Sequence, residues 1–140
     1  MKLYQIDTVN LKVATMNVCG LSSKINSVSN IFLEQDLDII VITETHLSGK
    51  KNPKINDNYN CYYRHRSDKM CKGGVCIAVK KDLCKNAVIL ESNKHSEWLS
   101  VQLNYFSPPI VVTGMYGGQD RKSTRLNSSH SQQSRMPSSA

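Results

Sequence analysis

The segment from Asp38 to Leu47, DIIVITETHL, places Glu44 and His46 directly after a run of large aliphatic residues. Ile39 to Ile42 has the continuous apolar character of a strand buried on both faces. Polar side chains that follow such a strand lie at the carboxyl edge of a sheet, where open α/β folds bind ligands. Upstream, LKVATMNV (residues 11 to 18) alternates as a second strand and brings Asn17 near its end. If the two strands are parallel neighbours, Asn17 and Glu44 share that edge. A carboxylate beside a carboxamide then offers oxygen ligands to a hard cation such as Mg²⁺, which keeps several waters and needs few protein groups. The same pair also reads as a solvated strand end and a turn former before Gly20, and spacing leaves both readings open. His46 reads as a bystander, because Mg²⁺ prefers oxygen to imidazole.

These residues need elements to hold them. GLSSKINSVSNIFLEQ, between the two strands, reads as a helix with Ile25, Val28 and Phe32 on one face and Ser22 or Ser23 as its N-cap. Strand, helix and strand make a βαβ unit, whose right-handed crossover makes the two strands parallel neighbours. After a polar loop from Gly49 to Asn58, shorter strands are predicted near Asn60 to Arg64, Gly74 to Lys81, Ala87 to Glu91, Glu97 to Tyr105 and Pro109 to Tyr116. The Ser-Pro-Pro within LNYFSPPIVV signals a hairpin between the last two. Trp98 and Cys76 alternate with apolar neighbours and read as core. The fold class is α/β, with antiparallel ribbons in the second half and residues 1–10 as a lead-in.

At 140 residues and 39% apolar content, the chain suits one globular domain with a real core. No stretch approaches a membrane span, and the start lacks a signal-peptide core, so an intracellular protein with no membrane partner is expected. The five cysteines lack paired C-x-x-C spacing and read as reduced thiols rather than a zinc site. A pI near 9.2 permits a nucleic-acid partner. The basic residues Lys50 and Lys51 follow Glu44 in the loop, and Arg64 and Arg66 end the next strand. Such residues can track a phosphate backbone, although ordinary solvated loops carry lysines as well.

The blocks LKVATMNVCGLSSKI, LDIIVITETHL, GGVCIAVKKDL, EWLSVQL and IVVTGMYG resemble, in order and spacing, the amino-terminal half of the endonuclease/exonuclease/phosphatase superfamily. Within it they are most similar to the endonuclease domains of non-LTR retrotransposons. The resemblance implies the first half of a four-layer α/β sandwich, the DNase-like fold. It also implies metal-assisted hydrolysis of a phosphodiester in DNA, with Mg²⁺ as cofactor and Mn²⁺ as a possible substitute. Glu44 corresponds to the metal-binding glutamate, Asn17 to the asparagine at metal and phosphate, and Tyr116 to the tyrosine beside the scissile phosphate. In an intact retroelement protein the partner is a downstream reverse-transcriptase domain, and the location is the nucleus. Other members of the superfamily act on abasic sites, sphingomyelin or inositol phosphates, which keeps open a second reading, a hydrolase acting on RNA, phospholipid or inositol phosphate. A decayed, non-enzymatic fragment is a third.

The family also uses an Asp-x-Asn motif and a late Asp-His pair, and neither occurs here. From Asp120 the chain turns to DRKSTRLNSSHSQQSRMPSSA, with seven serines and no aromatic residue, which cannot supply a core element. That segment resembles the translation of a common sequencing-library adapter in one frame. Residues 11–119 are therefore taken as a partial domain and residues 120–140 as a disordered, non-native tail. Setting the tail aside lowers the net charge from +7 to +4. On this reading the chain as written lacks the groups needed to cut DNA.

Overall fold

The computed structural model describes residues 1–6, 10–48, 51–65, 73–90 and 98–116. Among them run strands β1 (Lys2–Ile6), β2 (Leu11–Asn17), β3 (Ile39–Thr43), β4 (Tyr59–Arg64), β5 (Val75–Lys80), β6 (Val88–Leu90), β7 (Trp98–Leu103) and β8 (Ile110–Met115), with one α-helix, α1 (Ile25–Gln35). They form a five-stranded sheet in the order β1-β2-β3-β5-β4 and a three-stranded sheet in the order β6-β7-β8. The strand at Lys2–Ile6 departs from the reading of residues 1–10 as a lead-in. It pairs antiparallel with β2 at the sheet edge, where one neighbour suffices and no apolar run is required to mark it. The segment from Asp120 onward lies outside the described residues.

The βαβ unit forms as expected. β2 and β3 are parallel neighbours, with Asn17 opposite Thr43. β3 can be apolar throughout because both of its faces are covered. Ile40 and Ile42 pack with Val28 and Phe32 of α1, while Ile39 and Val41 pack with Leu99, Val101 and Leu103 of β7. Burying one such side chain contributes about 1.5–3 kcal/mol. The helix starts without the expected serine cap. Ser22 and Ser23 fall inside a 3₁₀ turn, Ser22–Lys24, and Lys24 stands at the N-cap, where its side chain does not cap the helix but donates to Val18 O. At the other end the left-handed Asp36 (φ 48°) returns its N–H to the last turn and sends the chain into β3.

The second half is antiparallel, as the ribbon pattern indicates, and Leu103 faces Ile110 across the Ser-Pro-Pro hairpin. Cys76 is core, with no exposed surface. Trp98 is not: it is half-buried and pairs with the exposed Met115, on the opposite face of β7 from the buried Leu99. Alternation within a strand fixes which residues share a face, but not which face meets the core. The three-stranded sheet covers β3 and β5 yet leaves an open groove of about 470 Å³ beside β8, walled by Val13, Thr15, Val41, Thr43, Val112 and Gly114. Among the described residues, no helix is long and apolar enough to cross a membrane.

Candidate functional site

The parallel pairing of β2 and β3 continues beyond both strands. Val18 N donates to Thr43 O (3.1 Å), Gly20 N to Glu44 O (2.8 Å) and Leu21 N to Thr45 O (2.9 Å). On the other side, Thr45 N and His46 N donate to Gly74 O (3.4 Å) and Gly73 O (2.9 Å), just ahead of β5. Residues 44–46 are thus held by backbone bonds on both flanks. Within them Glu44 (φ 56°) and His46 (φ 54°) take the left-handed conformation, and so does Cys19 (φ 46°) in the facing loop. For non-glycine residues this costs about 1–3 kcal/mol each, and such strain concentrates at functional sites. Gly74 makes the approach possible: at φ +92°, a Cβ there would come well under 3.0 Å from Thr45 Oγ1.

The carboxylate of Glu44 is the centre of the arrangement, with its side chain 20% exposed. Asn17 Nδ2 donates to Glu44 Oε2, while Asn17 Oδ1 accepts the Cys19 N–H at 3.1 Å. Tyr116 OH donates to Glu44 Oε1 at 3.2 Å, across 72 positions of sequence. His46 Nε2 lies 3.6 Å from the same oxygen. Tyr116 reaches the site because Gly114 lets β8 settle onto the larger sheet. A Cβ at Gly114 would stand 2.6 Å from Val41 Cγ1 and 2.8 Å from Val75 Cγ1.

Asn17, Glu44 and Tyr116, the three residues singled out for catalysis, therefore meet at one point. Arg64 ends β4 at the same sheet edge, its carbonyl oxygen 3.6 Å from where a Gly74 Cβ would lie. Lys51 is exposed and borders a shallow groove with Ser22, Leu47, Asn52 and Pro53, flanking that edge. Lys50 and Arg66 lie outside the described residues. His46, read from sequence as a bystander, contacts Glu44 directly, and Cys19 joins them: the potential ligand atoms of Cys19, Glu44 and His46 all lie within 4.8 Å of one another. Separation in sequence hides Cys19, and nothing in ETHL announces the left-handed backbone on either side of Thr45. The glycines at 74 and 114 were the available signals, since each marks a close approach of backbone.

The donor set suits a divalent cation in part. The half-buried Glu44 carboxylate is an oxygen ligand of the kind Mg²⁺ takes from protein, and the Asn17 amide would have to turn its oxygen from the Cys19 N–H to add a second, whereas the imidazole and thiol do not suit Mg²⁺.

The sequence model of the Endonuclease/Exonuclease/phosphatase family matches residues 14–137, and the chain belongs to that family. The matched span runs past Gln119 over most of the segment read from sequence as a tail. Comparison with curated proteins finds no significant match. Among solved structures the chain is similar to an AP endonuclease from Archaeoglobus fulgidus, with TM-score 0.58 and 24% identity over 76% of this chain and 40% of that one. It is also similar to the 3′ phosphatase NExo (D146N) from Neisseria bound to product DNA hairpin, with TM-score 0.54 and 18% identity over 76% of this chain and 41% of that one. A third, an endonuclease/exonuclease/phosphatase family protein from Leptotrichia buccalis C-1013-b, gives TM-score 0.54 and 14% identity over 91% of this chain and 64% of that one. These likenesses show the fold, a mixed α/β arrangement of this family. The chain spans less than two thirds of each of these proteins.

Proposed function

We propose that this chain is part of a divalent-metal-dependent phosphodiester hydrolase, and specifically of the DNA-nicking endonuclease domain of a non-LTR retroelement. The observation that carries the reading is the convergence of Asn17 from β2, Glu44 from the end of β3 and Tyr116 from the end of β8 on a single carboxylate. Structural need does not demand it, since the three residues come from three strands and two sheets.

In this reading Glu44 and Asn17 would hold Mg²⁺, or Mn²⁺ in its place. A bound divalent ion supplies Lewis-acid stabilisation of charge on the phosphate. The chain's own residues do the rest of what is present. Asn17 orients the Glu44 carboxylate through its amide. Tyr116 carries a hydroxyl that can be redirected from Glu44 Oε1 to a phosphate oxygen, where a fixed donor lowers the barrier as charge develops. Arg64 and Lys51 border the same edge, and with Lys50 and Arg66 they are assigned to the DNA backbone. A DNA substrate accords with the solved structures this chain resembles, one an AP endonuclease and one a 3′ phosphatase bound to a product DNA hairpin. A downstream reverse-transcriptase domain and a nuclear location follow from the retroelement reading and stand or fall with it.

Residues 1–140 by themselves are expected to be inactive, because the sequence contains neither an Asp-x-Asn nor an Asp-His motif. The adapter reading of residues 120–140 rests on sequence alone, and the family match through residue 137 weighs against its extent. Sequencing the genomic continuation past Gln119 decides both points: an open frame leading through those motifs to a reverse transcriptase supports the proposal, and a frame continuing as DRKSTRL removes the adapter reading. A plasmid-nicking assay with Mg²⁺ on residues 1–140 should show no metal-dependent cleavage. Cleavage that disappears with Glu44→Gln would overturn the inactivity while supporting the site.

A further inference from the structure

The ligand set around Glu44 is richer than a Mg²⁺ site requires. Cys19 Sγ, a carboxylate oxygen of Glu44 and a ring nitrogen of His46 lie within 4.8 Å of one another, and His46 Nε2 is already 3.6 Å from Glu44 Oε1. Three protein ligands of this kind around a tetrahedral zinc ion are separated by on the order of 3.5 Å, so small side-chain rotations close the site. The three residues that bear these atoms are also three of the six non-glycine residues with positive φ among the described residues. Backbone hydrogen bonds from Gly20 to Glu44, from Leu21 to Thr45 and from His46 to Gly73 hold the two loops in that relation. The strain is therefore spent where the potential ligands are.

We propose that Cys19, Glu44 and His46 form a site for a borderline transition-metal ion, Zn²⁺ above all, which competes with Mg²⁺ for Glu44. The inference deepens the metal reading above and rests on its assignment of Glu44. Thiolate and imidazole favour late first-row ions over Mg²⁺, which takes hard oxygen ligands. Three protein ligands leave a fourth tetrahedral position to water. Binding converts the Cys19 thiol to thiolate and releases its proton to solvent. Asn17 and Tyr116 act as positioning residues, since each donates a hydrogen bond to an oxygen of the coordinating carboxylate. In the parent enzyme, zinc bound this way would occupy the carboxylate that Mg²⁺ needs.

The test uses residues 1–140 with Co²⁺ as a spectroscopic substitute for Zn²⁺. One equivalent of Co²⁺ should produce a thiolate-to-cobalt charge-transfer band that Zn²⁺ bleaches and excess Mg²⁺ leaves in place. Cys19→Ser should remove the band, whereas Cys61→Ser, Cys71→Ser and Cys84→Ser should retain it. His46→Gln should weaken Co²⁺ binding by at least about tenfold, the lower end of what losing even an outer partner costs. A band that survives Cys19→Ser, or one that never forms, overturns the inference. Mn²⁺ binding followed by electron paramagnetic resonance separates the two readings. Mn²⁺ bound through Glu44 without any Cys19-dependent cobalt band sinks the zinc site alone. A Cys19-dependent band without Mn²⁺ binding sustains the zinc site and sinks the Mg²⁺ reading.

Discussion

Asp38 precedes β3 and Glu44 follows it, so one strand carries a carboxylate at each end of the central sheet. At the Asp38 end the charge is met by a fixed cation. Lys80 Nζ lies 3.3 Å from Asp38 and 2.7 Å from Asp36, and Lys12 N–H donates to Asp38 at 2.8 Å. The hydrogen bond from Lys80 holds the Asp36 carboxyl below its ordinary range, and the same bond holds the Lys80 ammonium above its own. At the Glu44 end the carboxylate meets an amide, a phenol and an imidazole, none of them a permanent cation. A carboxylate with its lysine in place has little left to offer a ligand. One held by an amide, a phenol and an imidazole is oriented by groups that are not permanent cations. The backbone differs in part in the same sense: left-handed residues cluster within the Glu44 site at Cys19, Glu44 and His46, while at the other end Asp36 is an ordinary helix terminus and Asn10 a turn residue before β2.

The sharpest way to break this comparison is Glu44→Gln in the intact parent protein. The substitution keeps shape and removes charge, and metal-dependent nicking should fall at least about 100-fold with the fold intact. Near-normal turnover would make Glu44 the equivalent of Asp38, a structural strand-end residue. A smaller effect, on stability, is expected from Gly74→Ala. Positive φ and the closeness of Thr45 Oγ1 together should cost about 2–4 kcal/mol, read by urea denaturation. Loss of less than ~1 kcal/mol would mean that the Glu44 end is looser than its backbone bonds indicate.

The other end answers to pH. Asp36 has a lowered pKa, so its pairing contributes above the usual carboxylate range and is lost as pH falls below about 4. Lys80 has a raised pKa, so its share is present below about pH 10 and is lost as pH rises beyond that. Lys80→Met should lower the Tm by about 1–5 °C at neutral pH and flatten its fall at both extremes, as followed by circular dichroism. An unchanged acid limb would show that the Asp38 end owes nothing to its lysine.

How much of this was legible in sequence depended on how local the signal was. The βαβ unit was readable because Ile39 to Ile42 is apolar without a break and Val28 and Phe32 repeat at helical spacing. β1 was not, since an edge strand pairs through its backbone and carries no such run. That Asn17 and Glu44 share one sheet edge followed from parallel strands, while the roles given to them came from the resemblance. Tyr116 came only from the resemblance to a family, because nothing local ties it to a residue 72 positions away. His46 and Cys19 were missed as site residues for a physical reason. Their positions depend on left-handed backbone held by tertiary hydrogen bonds, and neither the cysteine nor a histidine inside ETHL marks that conformation as a glycine would.

The smallest expected effect lies between the two left-handed residues. Thr45 is 1% exposed, and its Oγ1 has no hydrogen-bond partner among the described residues. Leaving a buried hydroxyl unmatched costs about 1–3 kcal/mol, so Thr45→Val, which replaces it with a methyl of similar size, should be neutral or should stabilise by about 1 kcal/mol. Thr45→Ala combined with Gly74→Ala then separates two costs. It removes the atom that a Cβ at Gly74 would strike and leaves the φ of +92° as it was. If collision dominates, the double variant should recover most of the stability lost in Gly74→Ala; if the left-handed backbone dominates, it should recover almost none, and the two costs would add. Destabilisation by Thr45→Val would mean that the hydroxyl has a partner in the folded protein, and would place Thr45 among the groups that shape the Glu44 end rather than among those it merely buries.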